Sequence, residues 1–172
     1  MKQKLSSIFI MLMVMSSQSI FSQQSSDEIL MKATEKAKKE NKHVFIMFNA
    51  SWCGWCKKMD KSMNDPACKN LFDKNYVIKH LVVKESDSNK HLENPGAEDL
   101  LKKYKGDKSG IPFWLIFDNE GTFVEDSFDS KENNLGCPAT IEEVTLFIEK
   151  LRKTSSLTQS ELDNVAKVFL SK

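Results

Sequence analysis

Cys53 and Cys56 stand three positions apart in Trp52-Cys53-Gly54-Trp55-Cys56-Lys57-Lys58, directly after the apolar run Val44-Phe45-Ile46-Met47-Phe48. Two thiols at that spacing, where a strand gives way to a helix, can open and close a disulfide. The start of a helix supplies unpaired N–H groups and the positive end of the helix dipole. Both favour a thiolate on the first cysteine, and the thiolate is the reactive species. A Cys-x-x-Cys beside a βαβ pattern therefore points first to redox chemistry. Other chemistries fit less well. A structural zinc site needs four ligands from Cys and His, yet there is no second Cys-x-x-Cys, and His43, His80 and His91 are scattered. Covalent c-type haem needs a histidine directly after Cys56, where Lys57 stands. A peroxidase of the T-x-x-C kind needs threonine where Ala50 stands.

The elements that must hold these thiols follow from patterning. Val44–Phe48 is apolar without alternation, the mark of a strand buried on both faces. Before it, Ser25 or Ser26 can cap a helix with Asp27 and Glu28 in its first turn and Leu30, Ala33 and Ala37 on one face. Lys36, Lys38, Lys39 and Lys42 crowd its C-terminal end, where the dipole favours cations. The helix from Cys53 carries Met59 and Met63 at i, i+4. Asp65-Pro66 reads as an N-cap followed by a proline at the first helical position, opening a short helix with Cys68, Leu71 and Phe72 on one face. Tyr76–Val83 is the next strand. Lys84–Asn94 is almost wholly polar and reads as a surface insertion. Pro95 opens another helix, with Leu100, Leu101 and Tyr104 apolar. Phe113–Phe117 and Thr122–Phe128 are strands joined through Asp118-Asn119-Glu120-Gly121, a hairpin signal. Thr140 with Glu143 and Thr158 with Glu161 are capping boxes opening two final helices. The order α-β-α-α-β-α-β-β-α-α implies an α/β fold, a mixed sheet with helices on both faces.

The chain begins as a secretory leader does. Lys2 and Lys4 precede the apolar stretch Leu5–Met15, and Ser16–Ser22 is polar and small, so residues 1–22 read as a signal peptide cut after Ser22 and 23–172 as the mature domain. A membrane anchor is the competing reading, and the apolar stretch is short for one. The absence of cysteine before Cys53 argues against a lipid-anchored lipoprotein. Export would place four cysteines where disulfides persist, in the periplasm or outside the cell. The formal charge, +1 over the whole chain, becomes −1 without Lys2 and Lys4. A near-neutral protein offers no electrostatic case for nucleic acid or an anionic membrane.

With Trp52-Cys53-Gly54-Trp55-Cys56 after the first core strand and Gly110-Ile111-Pro112 before the hairpin, the chain resembles the thioredoxin superfamily from about His43 to Arg152. The helix at Asp27–Asn41 and the Gly54-Trp55 dipeptide are similar to the exported bacterial members. The resemblance implies a thioredoxin fold with extra N- and C-terminal helices. It also implies thiol–disulfide oxidoreductase activity on protein thiols and disulfides, with no metal or organic cofactor. Cys53 would be the exposed nucleophile and Cys56 the resolving thiol. Pro112 would carry a cis peptide bond facing the disulfide. The Ile111 backbone would pair with an extended substrate, and Trp52 and Trp55 would rim Cys53. Gly136-Cys137 would align with the loop that completes the groove. Two departures stand out. Met47 occupies the place of the buried acid that helps deprotonate the second cysteine, and Gly-Trp replaces Gly-Pro between the thiols.

Cys68 reads as a small buried core residue. Cys137 reads either as a partly exposed loop cysteine of no function or as a third thiol beside the substrate. A Cys68–Cys137 bridge is disfavoured, because the two elements belong to different ends of the fold. Two functions follow. The first is an oxidoreductase, reducing rather than oxidising, supplied with electrons by a membrane-bound thiol donor. The second is a client-binding module that uses the Ile111–Pro112 groove and treats the disulfide as structural.

Overall fold

The computed structural model describes residues 23–171; the leader assigned to 1–22 lies outside them. Along the chain run α1 (Ser26–Glu40), β1 (His43–Asn49), α2 (Gly54–Met63), α3 (Lys69–Asn75), β2 (Tyr76–Val82), α4 (Ala97–Lys103), β3 (Phe113–Phe117), β4 (Phe123–Asp126), α5 (Ile141–Thr154) and α6 (Gln159–Leu170). Short 3-10 helices occupy Asp87–Leu92 and Gly106–Lys108. This is a thioredoxin-like α/β fold. The sheet runs β2-β1-β3-β4, with β1 parallel to β2 and antiparallel to β3, and β3 antiparallel to β4.

β1 lies inside the sheet and its Val44–Phe48 stretch is wholly buried, which is why it is apolar at every position rather than every second one. Alternation divides its side chains between two cores. Phe45 and Met47 join Trp114 and Ile116 of β3 under α2, α3, α5 and α6. Val44, Ile46 and Phe48 join Leu115 and Phe117 under α1 and α4. Met59 and Met63 are the buried stripe that lays α2 on the first of these cores. The C-terminal end of β1 thus delivers Cys53 to the start of a helix that doubles back over the sheet.

Caps set the helix ends. The Ser25 hydroxyl accepts from the Glu28 amide at 3.2 Å, and Asn41 closes α1 in the left-handed region. Both capping boxes form, Thr140 with Glu143 and Thr158 with Glu161. In the β3–β4 hairpin the Asp118 carboxylate accepts from the amides of Glu120 and Thr122, and Gly121 supplies a φ of 81°.

Three boundaries differ from the sequence expectation. Asp65-Pro66 opens a turn, not a helix: Asp65 accepts from the amides of Ala67, Cys68 and Lys69, and α3 starts only at Lys69. Pro95 lies outside α4. Its carbonyl takes the Ser26 amide at 2.8 Å, and Gly96, at φ 79°, caps the helix. β4 stops at Asp126, whose partner on β3 is Leu115, and beyond it Phe128 bridges to Asn134 instead. The polar insertion lies mostly at the surface, as expected, but holds a short 3-10 helix. Glu85 and Asn94 within it are buried.

Candidate active site

Cys53 and Cys56 are joined by a disulfide. Cys53 is the N-cap of α2, and its Sγ accepts the Cys56 amide at 3.0 Å. The Cys53 amide in turn donates to the Ala50 carbonyl at 3.1 Å, folding the chain sharply between strand and helix. When the disulfide opens, this helix-start N–H already points at the sulfur, an arrangement that favours a Cys53 thiolate. The expectation of an exposed nucleophile is corrected: Cys53 is only 3 % exposed. The disulfide packs against Ala50 and Ile111, and the Ile111 carbonyl lies 3.5 Å from the Cys53 Sγ. A disulfide sulfur carries no proton, so in this oxidised form the approach is a contact; a Cys53 thiol would have an acceptor there. Gly54, between the two cysteines, faces open space: a Cβ there would meet no other atom within 4 Å.

The Ile111–Pro112 peptide bond is cis. Trp55, Gly110, Ile111, Pro112, Gly136 and Cys137 line a cavity of about 230 Å³. Asn134 organises it. Its side-chain nitrogen donates to the carbonyls of Gly110 at 2.7 Å and Pro112 at 3.1 Å, while its oxygen accepts the Gly136 amide at 3.0 Å. Asn134 therefore occupies the two carbonyls that flank Ile111 and ties them to the Gly136 loop. Gly136 holds a φ of 54° and gives its carbonyl to the Trp114 indole at 3.0 Å. A larger open groove beside Phe123 shares no lining residue with this cavity; two of its lysines, Lys150 and Lys153, are engaged by Glu125.

Trp52 and Trp55 stand at the surface, 59 % and 54 % exposed. The Lys58 ammonium sits 4.5 Å over the Trp55 ring, a cation–π contact rather than a freely solvated lysine. The Trp52 indole donates to the Lys84 carbonyl at 2.8 Å. Ser51 gives both its amide and its hydroxyl to the Glu85 carboxylate. The 84–94 insertion thus grips the two residues that precede Cys53. Lys84, Glu85 and Asn134 are the residues that sequence reasoning missed. Each is a polar residue in a polar stretch, and only the fold shows which backbone it meets. An Asn two positions before a loop glycine was the one local signal within reach.

The remaining thiols are placed differently from one another. Cys68 is fully buried in the core under α3. Cys137 is not the partly exposed loop cysteine of the sequence reading: it is 7 % exposed and lines the cavity. Burial pushes its thiol up to about 11, against a smaller pull downward from Lys58. No disulfide joins Cys68 and Cys137, and both belong to the same apolar core. Among the described residues, no group of three or more His, Cys, Asp or Glu is arranged to hold a metal ion.

Several solved structures and one family model resemble this chain. The chain is similar to a disulphide isomerase from Xylella fastidiosa Temecula1, with 19 % identity over 83 % of this chain and 87 % of that one, and a TM-score of 0.49. It is similar to the DsbD C-terminal domain of Neisseria meningitidis in its oxidised form, with 24 % identity over 60 % and 84 % of the two chains and a TM-score of 0.41. It is also similar to a thioredoxin from Thermus thermophilus, with 17 % identity over 77 % and 86 % and a TM-score of 0.47. No curated protein matches the sequence. A family model described as thioredoxin-like matches residues 26–119, from α1 through the disulfide and cis-proline to the hairpin. The chain belongs to the thioredoxin-like family, and its Cys53–Cys56 pair is a disulfide of the redox-active Cys-x-x-Cys type.

Proposed function

We propose that the protein is an exported reductase of protein disulfides. The observation that carries the reading is the Cys53 sulfur at the first N–H groups of α2 with the Ile111 carbonyl beside it. In the reduced enzyme the Cys53 thiolate attacks one sulfur of a substrate disulfide. A mixed disulfide forms, and the other substrate sulfur leaves as a thiolate that takes a proton from water. Cys56, one turn along α2, then loses its proton and attacks the Cys53 sulfur. The second substrate thiol departs and the Cys53–Cys56 disulfide closes, so two electrons have passed to the substrate. During the exchange the Ile111 backbone pairs with the substrate as an added strand does, while Trp52 and Trp55 cover its apolar neighbours.

Each turnover leaves the enzyme oxidised, so a thiol donor must restore it. Outside the cytoplasm the source we infer is a membrane-bound dithiol protein. Export itself rests on the basic and apolar start of the chain, and N-terminal sequencing of the secreted protein tests it: a mature chain starting at Gln23 supports it. Among the described residues no helix is long and apolar enough to cross a membrane. Met47, fully buried, holds the place that the thioredoxin resemblance gives to the acid that takes the Cys56 proton. That proton must leave through solvent or a neighbouring polar group, which slows the resolving step.

The reduction potential of the Cys53–Cys56 pair decides direction. A value near −270 mV, that of thioredoxin, supports a reductase; about −120 to −180 mV makes the protein an oxidase or isomerase. The exposed Trp52 and Trp55 also suit a client-binding module. Cys53→Ser separates the two readings, because it abolishes turnover of a catalyst and leaves a client holder its affinity.

A further inference from the structure

Lys84 joins two separate segments beside the active site, Trp52 and the 107–109 stretch. Its backbone is left-handed, at φ 55°, a conformation that a residue with a long side chain holds only when its surroundings over-determine it. Its carbonyl takes the Trp52 indole N–H at 2.8 Å. Its ammonium reaches the other way and donates to the carbonyls of Asp107 and Ser109, each at 2.8 Å. Asp107–Ser109 is the segment that leads through Gly110 into Ile111. One residue therefore holds Trp52, beside the nucleophile, and the backbone that feeds the substrate-pairing strand.

The surroundings keep Lys84 in place. Just ahead of it, the Val83 amide donates to the Asn49 carbonyl at 2.9 Å, next to the turn that carries Cys53. Glu85 holds Ser51, and the Glu85 amide donates to the Glu93 carboxylate at 2.8 Å. Asn94 closes the insertion by accepting the Val82 amide at 2.7 Å and donating to the Gln24 carbonyl at 2.9 Å. The insertion is thus fastened at both ends, and the Lys84 side chain links it to the 107–109 segment.

We propose that Lys84 is a positioning residue that braces Trp52 against the Ile111–Pro112 segment and so tunes the enzyme to disulfides carried on extended polypeptide. This rests on the oxidoreductase reading above. A small disulfide needs only a line of approach to the Cys53 sulfur. A polypeptide disulfide must lie on the Ile111 backbone and against Trp52 at once, and misplacement of positioning groups by about 1 Å can cost on the order of 100-fold in rate. Loss of the brace therefore falls on the polypeptide substrate.

The test compares wild type, Lys84→Met, Lys84→Arg and Lys79→Met, the last a control on the exposed part of β2. Insulin and bis(2-hydroxyethyl) disulfide are the substrates and dithiothreitol is the reductant. Lys84→Met keeps the aliphatic stem and loses the ammonium. Its kcat/KM for insulin should fall about tenfold, mostly through KM, while the small-disulfide rate falls less than threefold. Lys84→Arg, which still donates to both carbonyls, should recover most of the insulin activity, and Lys79→Met should match wild type. Equal losses on both substrates, or an unchanged KM for insulin, overturn the brace. Wild type that turns over neither substrate overturns the oxidoreductase reading instead. If Lys84→Met fails to fold, Lys84→Gln is measured in its place; it keeps one donor, and an intermediate rise in KM is then required.

Discussion

At the residue scale, the site is governed by where hydrogen-bond donors point. The Cys56 amide aims at the Cys53 sulfur, and Asn134 spends three hydrogen bonds on the loops around Ile111. Asn134→Ala leaves two carbonyls and one amide to find other partners. At about 1 kcal/mol per bond, with more for a group left unsatisfied, we expect a loss of about 2–3 kcal/mol in urea unfolding. We also expect a higher KM for protein substrates with a smaller change in kcat, since Asn134 touches the groove and not the sulfurs. Cys137 offers a second check. Burial pushes its thiol up to about 11, so it is neutral at pH 8 and iodoacetamide applied to the native protein at that pH should leave Cys137 unmodified. Rapid native alkylation at that pH contradicts the buried placement. In the sequence Asn134 was only a polar residue, and Cys137 either a loop cysteine or a third thiol beside the groove. What makes Asn134 a clamp is the approach of two loops 22–24 positions apart, which no local pattern encodes.

At the element scale, the helix starts carry most of the control. α1 and α4 meet end to end: the Pro95 carbonyl takes the Ser26 amide, and a Cβ on Gly96 would come within 2.8 Å of the Ser26 hydroxyl. Gly96 also sits at φ 79°. Gly96→Ala should therefore cost about 1–3 kcal/mol, read as a lower thermal midpoint, and Ser26→Ala in the same background should recover part of it by relieving the contact. Thr140→Ala tests a different kind of start. It removes the hydroxyl that accepts the Glu143 amide at 3.2 Å and should cost about 1 kcal/mol. The capping boxes were legible because their residues are neighbours in sequence. The start of α4 was not, because Pro95 is a strong local helix-start signal whose carbonyl is claimed by a distant amide.

At the scale of the whole molecule, the core beneath α5 and α6 is sensitive to alkali. The Tyr76 hydroxyl, buried and bonded to the Thr154 hydroxyl at 2.7 Å, is pushed up to about 12, chiefly by burial. The Cys137 thiol is pushed up to about 11 by the same cause. Both groups belong to the core beneath α5 and α6. The fold favours their neutral forms, so their contribution is complete below pH 9. It is lost as pH rises from 9 through about 11 for Cys137, and from 10 through about 12 for Tyr76. Denaturant midpoints measured from pH 8 to 12 should fall across that window. Tyr76→Phe should flatten the upper part of the curve while lowering stability at pH 8 by about 1 kcal/mol. A flat profile in wild type would mean that neither group is shielded as described.

The sequence by itself determined the order of elements, the double-sided burial of β1, the placing of the Cys53–Cys56 pair at a helix start, and the caps of α1, α5 and α6. Each rests on residues a few positions apart, within the reach of one turn or one pleat. Only the tertiary structure decided that Cys53 is buried rather than exposed, that Cys137 faces the groove from within the core, and that 84–94 is fastened to the active site. Those outcomes depend on partners remote in sequence: Ile111 lies against Cys53 from 58 positions away and Ser51 meets Glu85 from 34 positions away. Side-chain periodicity reports that a residue is to be buried; it carries no information about what lies on the other side.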